Sequence, residues 1–294
     1  MKYPVFLAKV LRRLGVSQFL DLSLRVHSIS GPLFVPISRG LAEYLLGSPG
    51  NGFKSDLCKH LASHRLFPGV VCDVGLNTGQ TLLEFYGQGL PISQYYGFEP
   101  NVTAMAIVER LVRLNPQLSS VQLMPWACSS EDAPLRLFAI SEIDSGATHK
   151  PSIRPDLYQE MAGTLAASYR LDTTSSLMRL CRHFFLKIDV EGGELDVLRG
   201  AANCLTQWRP IIQCEVLHAH RPSELAANDK QKAELLAILR QHNYLLMLCR
   251  LSVDGTRLEG LEPLAAFPSA VYADTPHTCD YLFLPQELSD QLAT

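Results

Sequence analysis

The sequence predicts an α/β protein with a mostly parallel β-sheet, helices on both faces of the sheet and an antiparallel strand at its edge. Short apolar segments alternate with longer segments of helical periodicity, and polar residues follow directly after several of the apolar segments. This alternation is typical of strand–helix–strand units, whose strands run parallel and are covered on both faces.

The predicted elements begin near residue 56 and are taken here in chain order. They are a helix at 56–66, a strand from 70 or 71 to 74, a helix at 80–87, a strand at 95–99, a helix at 102–114, strands at 121–127, 135–140 and 184–190, a helix at 194–205, a strand at 210–216, a helix at 229–242, and strands at 244–251 and 281–285. No helical pattern separates the last two strands, so one of them is expected to run antiparallel at the edge. Residues 141–170 show no regular pattern, which predicts a lid or a substrate-binding loop.

Composition limits the class of protein. A chain of 294 residues, 47% hydrophobic and 19% charged, can bury a full core without disulfides or a structural metal. The net charge of −3 predicts no broad positive surface, and no nucleic-acid partner is expected. The eight cysteines form no C-x-x-C pair, which argues against a zinc ribbon or a redox motif. Reduced thiols and the absence of a signal-peptide pattern predict a cytoplasmic protein.

The first fifty residues are predicted to form an N-terminal helical extension, followed by a single domain over residues 51–294. Residues 4–26 place apolar side chains at helical spacing, with basic residues between them. Such a helix either packs on the main domain or on a second subunit of a homo-oligomer, or lies on a membrane surface. No apolar segment is long enough to predict a transmembrane helix.

The first polar cluster follows the apolar segment VVCDV and contains Asp73, Gly75, Asn77 and Gly79. Gly75 allows a positive φ in a tight turn, and Gly79 is expected to let the backbone approach a ligand at the start of the next helix. The segment resembles a dinucleotide fingerprint in which Asn77 replaces the middle glycine. Because the carboxylate of Asp73 would repel a pyrophosphate and attract a sulfonium, the cluster favours a cationic or zwitterionic cofactor.

Glu99 ends the next predicted strand and is followed by Pro100 and Asn101. A carboxylate at this position can accept two hydrogen bonds from a ribose diol and would disfavour a 2′-phosphate. Sites for NAD and sites for S-adenosyl-L-methionine (SAM) share this feature. The second cluster therefore predicts nucleoside binding without choosing between the two cofactors.

Lys187, Asp189 and Glu191 form a third cluster and fall on one side of their strand by the period of two. They are predicted to form either a buried Lys–Asp pair or a functional rim, and the two can coexist. A fourth cluster, with Glu215, His218 and His220, has three interpretations. It is a metal site, a rim loop with solvated histidines, or the source of an imidazole that accepts a hydroxyl proton.

The segments DVGLNTGQT, GFEPN and LKIDVEGGELDVLRGA resemble the signature segments of FkbM-type methyltransferases, over about residues 51–217. The resemblance implies a Rossmann-like methyltransferase fold with SAM as cofactor. It also implies methyl transfer to a hydroxyl of a sugar, a glycoconjugate or a natural product, so that the partner is a small molecule or a glycan. No resident metal is expected.

The resemblance also implies roles for individual residues. The implied cofactor-binding residues are Asp73, Gly75, Asn77 and Gly79 around the methionine part, Glu99 at the ribose, Trp126, Ala127 and Cys128 at the adenine, and also Gln80, Thr81, Pro100, Asn101 and Asp189. Lys187, Asp189 and Glu191 would face the methyl group and the acceptor. Among candidates for the base, His218 comes first, then Asp189, then Glu191. Lys187 would lower the pKa of Asp189, whose expected task is therefore orientation.

Two alternative functions are retained. An NAD-dependent oxidoreductase would need three glycines in the phosphate loop and a second half of the dinucleotide fold, and Asn77 argues against it. A non-catalytic, SAM-binding regulatory subunit would show the same cofactor residues. Observed methyl transfer would distinguish an enzyme from this second alternative.

Overall fold

A computed structural model describes residues 21–38, 43–48, 52–153, 155–158, 160–275 and 277–292, and five single positions before residue 15. The strands are β1 (Asp21–Ser28), β2 (Gly31–Ser38), β3 (Val70–Val74), β4 (Gln94–Phe98), β5 (Val121–Met124), β6 (Ala127–Cys128), β7 (Leu135–Leu137), β8 (Thr164–Ala166), β9 (Ser168–Tyr169), β10 (Phe185–Ile188), β11 (Ile211–Glu215), β12 (Tyr244–Leu251), β13 (Leu258–Leu264) and β14 (Asp280–Pro285). The α-helices are α1 (Phe53–Ser63), α2 (Gln80–Gly87), α3 (Val102–Leu114), α4 (Pro155–Tyr158), α5 (Leu171–Thr174), α6 (Glu194–Arg199), α7 (Ala202–Gln207), α8 (Leu225–Gln241) and α9 (Ser289–Leu292). Short 3₁₀ turns lie at Glu43–Gly47, Pro116–Leu118, Pro151–Ile153, Ser175–Leu177, Pro222–Glu224, Tyr272–Asp274 and Gln286–Leu288.

The central sheet has eight strands in the order β13-β12-β14-β11-β10-β3-β4-β5. The five strands from β11 to β5 run parallel. Strand β14 runs antiparallel between β11 and β12, and β13 forms an antiparallel edge against β12. The predicted class, a Rossmann-like α/β fold, is thereby confirmed. The edge strand is one that the sequence did not predict, because residues 258–264 mix glutamates, a glycine and a proline with leucines.

Helices cover both faces of this sheet, as predicted. In β3, Val71 packs in a cluster with side chains of α1, α2 and α3. Its neighbours Cys72 and Val74 point the other way and pack with α6, α7 and α8. Strands buried on both faces need apolar side chains at nearly every position, which is why VVCDV contains no alternating polar residues.

Residues 21–38 form a β-hairpin, so the predicted helical extension over residues 1–50 is wrong for this stretch. β1 and β2 pair antiparallel, with Leu22 opposite Ile37 and Val26 opposite Leu33. The apolar residues of β2 alternate with period two and enter the same core as α1–α3. Gly31 has a φ of +108° after the turn, which glycine adopts readily. Most of residues 1–20 lie outside the described residues, and the membrane or subunit contact of a helix there stays a prediction.

Residues 141–170 contain short elements rather than one irregular loop. Strands β7 and β8 pair antiparallel, and an isolated bridge joins Phe138 to Thr148. The segment lies across the carboxyl-end edge of the sheet and contributes Asp144, Ser145, Ala147, Thr148 and His149 to a cavity there. Among the described residues, no helix combines the length and the apolar character needed to cross a bilayer.

Candidate functional site

A cavity of about 480 Å³ opens where the parallel strands β3, β4, β10 and β11 end. Its volume lies within the range of roughly 300–1,000 Å³ that is typical of small-molecule sites. Gly75, Glu99, Asp189 and Glu215 stand at the four strand ends and line it. The carboxyl ends of parallel strands meet at one edge, which explains why polar residues far apart in sequence converge here.

Most of the site residues expected from the sequence meet in this cavity. Those lining it are Gly75, Asn77, Gln80, Thr81, Glu99, Pro100, Asn101, Ala127, Cys128, Lys187, Asp189 and Glu191. Four others, all described, are not among its lining residues: Asp73, Gly79, Trp126 and His218. Each of these four has another structural task.

The turn between β3 and α2 is tightly packed against its neighbours. Gly75 has a φ of +84°, and a Cβ there would lie 1.8 Å from the carbonyl oxygen of Asp189. Gly79 has a φ of +88°, and a Cβ there would press on Leu111 of α3 at 3.3 Å. Gly79 therefore allows a left-handed turn and close helix packing, which corrects the expectation that it admits a ligand.

Glu99 follows the last residue of β4 and lines the cavity. It is 8% exposed, and its two oxygens accept hydrogen bonds from the backbone N–H groups of Asn77 at 2.7 Å and Asn101 at 2.8 Å. Burial raises the pKa of Glu99 to about 7. Each carboxylate oxygen can accept a further hydrogen bond, so the group is available to a diol in the cavity.

Asp73 lies beneath the cavity rather than in it. Its side chain is fully buried, with one oxygen 2.9 Å from Nζ of Lys187, and it accepts a hydrogen bond from the hydroxyl of Tyr95. Lys187 also donates to the carbonyl oxygen of Gly75 at 2.6 Å. Burial alone would lower the pKa of Lys187, but the charges of Asp73 and Asp189 outweigh it and raise the pKa. The predicted contact between Asp73 and the methionine part is therefore wrong. The Lys–Asp pair expected within the third cluster, Lys187 with Asp189, has its charged atoms 3.5 Å apart, whereas the closer and more deeply buried partner of Lys187 is Asp73.

Asp189, Glu191 and Glu215 place carboxylate oxygens within 4.8 Å of one another on the β10–β11 side of the cavity. Lys54 of α1 brings its Nζ to 3.6 Å from Asp189. Burial would raise the pKa of Asp189, but Lys187 and Lys54 outweigh it and hold the pKa below its ordinary value. The charge of Asp189, together with burial, raises the pKa of Glu215 well above its ordinary value, and the two carboxyl groups share a hydrogen bond. At a pH between their two pKa values the pair carries one negative charge, which faces the ammonium groups of Lys54 and Lys187.

His218 lies in a second, smaller cavity of about 150 Å³ on the α8 side of the fold. Its Nδ1 accepts from the Lys232 ammonium at 2.9 Å, and its Nε2 lies 2.8 Å from the hydroxyl of Thr278. Burial, together with the charge of Lys232, lowers its pKa to about 4. The prediction of His218 as the base is wrong, because the chain turns away from the site after Glu215. His220 lines the same second cavity, so the fourth cluster does not form one metal site.

Trp126 stands behind the cavity wall. Its ring contacts the rings of Phe98 and Tyr169 edge to face, with centroids 6.4 Å and 5.4 Å away. The following residues, Ala127 and Cys128, present the wall itself. The tryptophan therefore supports the expected adenine slot from outside instead of lining it.

A model of the Methyltransferase FkbM domain matches residues 73–246, more than half of the chain. The chain belongs to the FkbM methyltransferase family. This FkbM methyltransferase is 27% identical to methyltransferase sdnD of Sordaria araneosa, an alignment covering 58% of this chain and 73% of that one.

Two solved structures are similar to this FkbM methyltransferase. The first is the methyltransferase FkbM of Methylobacillus flagellatus KT, with a TM-score of 0.45, 15% identity, and coverage of 73% of this chain and 43% of that one. The chain therefore spans less than half of that protein's crystallised length. The second is a SAM-dependent O-methyltransferase of Thermotoga maritima, with a TM-score of 0.35, 10% identity, and coverage of 88% and 76%.

Sequence reasoning missed several lining residues of this FkbM methyltransferase that carry charge or a titratable ring, among them Lys54, Glu84, Asp144 and His149. Lys54 comes from a helix far upstream of Asp189 and is one of several surface-type lysines in the sequence. His149 lies in the irregular segment, and its Nε2 is 3.1 Å from Oδ2 of Asp196. Neither Lys54 nor His149 stands at the end of an apolar segment, whereas most of the predicted site residues do.

Proposed function

We propose that this FkbM methyltransferase transfers the methyl group of SAM to an oxygen of a hydroxyl-bearing acceptor, which is a sugar, a glycoconjugate or a natural product. The observation that carries the proposal is Glu99, a buried carboxylate that opens onto a cavity at the strand ends of a methyltransferase-family chain. Family membership leaves the NAD-dependent oxidoreductase without support.

The residues around the cavity fit the parts of SAM. The two oxygens of Glu99 suit the ribose diol. Ala127, Cys128 and Leu137 offer apolar surface for the adenine. The hydroxyl of Thr81 and the amide of Gln80 suit the polar end of the methionine part. When bound, SAM supplies a methyl group on a sulfonium, which is already a good leaving group.

The chain's own contribution is then mainly alignment and charge. Holding the acceptor oxygen in line with the methyl group can contribute up to roughly 7–11 kcal/mol, the upper range of proximity effects. The anionic Asp189–Glu215 pair favours a cation nearby, as the sulfonium is before transfer. Asp189 is a poor base because Lys187 and Lys54 hold its pKa low, so its proposed task is to orient the reactants.

Calorimetric titration with S-adenosylhomocysteine tests cofactor binding, with NADH as the competing nucleotide. We expect binding of S-adenosylhomocysteine, none of NADH, and an affinity lowered by about 10–100-fold in Glu99→Gln, the loss expected for hydrogen bonds to a charged group. Glu109→Gln is the matched control, because Glu109 is exposed on α3. Equal affinity of Glu99→Gln and the wild type would contradict the cofactor assignment.

Methyl transfer is tested with radiolabelled SAM and a panel of methyl glycosides, simple alcohols, amines and thiols. Label in any hydroxyl acceptor supports the proposed reaction. Tight binding of S-adenosylhomocysteine without transfer to a broad panel, including amines and thiols, would favour the non-catalytic SAM-binding subunit. Label in amines or thiols alone would support an active methyltransferase but contradict the proposed transfer to oxygen.

A further inference from the structure

One histidine ring lines the cofactor cavity among the described residues, and it belongs to His149. The bridge between Thr148 and Phe138 holds its segment, with hydrogen bonds of 2.8 and 3.0 Å. The hydroxyl of Thr148 also donates to the carbonyl oxygen of Glu191 at 2.8 Å. The ring is thereby fixed on the β10 side of the cavity, with Asp189 and Glu191, while Glu99 stands at the end of β4.

Asp196 of α6 orients this ring. Its Oδ2 lies 3.1 Å from Nε2 of His149 and 2.8 Å from Nζ of Lys150, and Arg199 approaches Oδ1 at 3.5 Å. Burial would raise the pKa of Asp196, but the hydrogen bonds from His149 and Lys150 outweigh it and hold the pKa below its ordinary value. An ionised carboxylate beside Nε2 keeps the ring proton on that nitrogen.

The second ring nitrogen, Nδ1, has no hydrogen-bond partner within the part of the chain that the structure describes. His149 packs closely on Gly193, where a Cβ would lie 2.5 Å from its Cε1 and 3.0 Å from Nδ1. An imidazole with one nitrogen held by a carboxylate and the other without a partner in the described chain has the arrangement of a general base with its orienting carboxylate.

Three other candidate groups for the base are engaged elsewhere. Asp189 is paired with two ammonium groups, Glu215 shares a hydrogen bond with Asp189, and His218 lies in the second cavity with both nitrogens engaged. We propose that His149 is the catalytic base of the methyl transfer, with Asp196 as its positioning residue. The inference rests on the proposed function, since it assigns the proton of the hydroxyl acceptor.

The step balances as follows. A lone pair of the acceptor oxygen forms the new carbon–oxygen bond while the bond between methyl carbon and sulfur breaks, and its electron pair stays on sulfur. The hydroxyl proton passes to Nδ1 of His149. The resulting imidazolium is stabilised by the carboxylate of Asp196 and returns the proton to solvent when the product leaves.

The first test determines which nitrogen of the His149 ring carries the proton, and it needs no acceptor. Nitrogen chemical shifts of the histidine rings are recorded at pH 8 in the complex with S-adenosylhomocysteine, and His149 is assigned from the spectrum of His149→Gln. We expect a neutral ring protonated at Nε2 and bare at Nδ1. Asp196→Asn is expected to mix the tautomers. A proton on Nδ1 in the wild type overturns the proposal.

The second test measures transfer to the alcohols of the panel at saturating SAM. A general base contributes about 10²–10⁴-fold, so His149→Gln is expected to lose at least 100-fold in kcat and to keep its affinity for S-adenosylhomocysteine. Gly193→Ala keeps the imidazole but displaces it, and is expected to lose kcat as well. His27→Gln, at an exposed position of β1, is the control.

Transfer by His149→Gln within threefold of the wild type overturns the proposal. If the wild type methylates none of these alcohols, the ring tautomer decides the proposal alone. Failure of the wild type to bind S-adenosylhomocysteine overturns the proposed function instead. The failure of the base assignment and the failure of the reaction are thus distinguishable.

Discussion

The ammonium of Lys187 lies 2.9 Å from a carboxylate oxygen of Asp73, and both side chains are almost completely buried. This ion pair joins neighbouring strands β10 and β3 directly under the cavity, where Lys187 also holds the carbonyl oxygen of Gly75. Buried charges are costly unless they are paired and hydrogen-bonded. The pair therefore supports the turn between β3 and α2 at the base of the cavity.

Asp73→Asn is predicted to destabilise the fold. Among the described residues it leaves the buried ammonium with one carboxylate, that of Asp189 at 3.5 Å, and with the carbonyl oxygen of Gly75. Breaking a buried ion pair costs about 3–5 kcal/mol. Because Asp189 still faces the ammonium of Lys187, we expect a cost near the lower end of this range. Urea unfolding followed by circular dichroism measures the change, with the exposed Asp290→Asn as control. A loss below about 1 kcal/mol would argue that Asp73 serves the ligand instead.

Asp189→Asn and Glu215→Gln are predicted to differ although they neutralise neighbouring carboxyl groups. Because Asp189 and burial raise the pKa of Glu215 well above its ordinary value, its amide variant is expected to change the free energy of unfolding by less than about 1 kcal/mol. Asp189 carries the charge that Lys54 and Lys187 face, and its loss is expected to cost about 1–3 kcal/mol. Urea unfolding at pH 7.5 compares the two variants directly. Equal effects would contradict the assignment of the proton to Glu215.

Affinity for S-adenosylhomocysteine is predicted to rise as the pH increases through about 7, because the ribose hydroxyls donate to ionised Glu99. The effect of pH on the stability of the fold has the opposite sign. Burial raises this pKa from 4.5 to about 7, so the group's stabilising contribution is full below 4.5 and is lost as the pH rises through about 7. Calorimetry from pH 6 to 8 tests the binding slope, which Glu99→Gln should flatten. An unchanged slope in that variant would assign the titration to another group.

His218→Gln is predicted to leave methyl transfer within about threefold of the wild type, because the ring lies outside the cofactor cavity. The pKa of His218 is lowered from 6.5 to about 4, so its contribution to stability is full above 6.5 and is lost as the pH falls toward 4. Urea unfolding between pH 4.5 and 7.5 should show a weaker acid dependence in the variant. A 100-fold loss of methyl transfer with the fold intact would contradict this prediction and indicate that His218 takes part in the reaction.

The sequence predicted those parts of the fold that local patterns determine. Helices at 80–87 and 102–114 and the strand at 244–251 have the bounds expected, because apolar periodicity and turn residues mark both ends. The hairpin at 21–38 was missed because two of its apolar residues also satisfied a helical spacing. Strand β13 was missed because an edge strand needs little apolar surface.

The candidate site was predicted as far as its residues follow strands. Glu99, Asp189 and the turn after β3 meet in the cavity because strand ends converge in a parallel sheet. The burial of Asp73 depends on Lys187, and the position of His149 depends on Asp196, in each case a residue distant in the chain. A local sequence pattern does not identify partners that lie so far apart in the chain.

A crystal structure of the chain with S-adenosylhomocysteine is the most direct measurement of the central claim. We predict density in the cavity, with both ribose hydroxyls within hydrogen-bond distance of the Glu99 carboxylate and the adenine against Ala127 and Cys128. The nucleoside bound away from the ends of β3 and β4, or absent from a fully soaked crystal, would contradict the account.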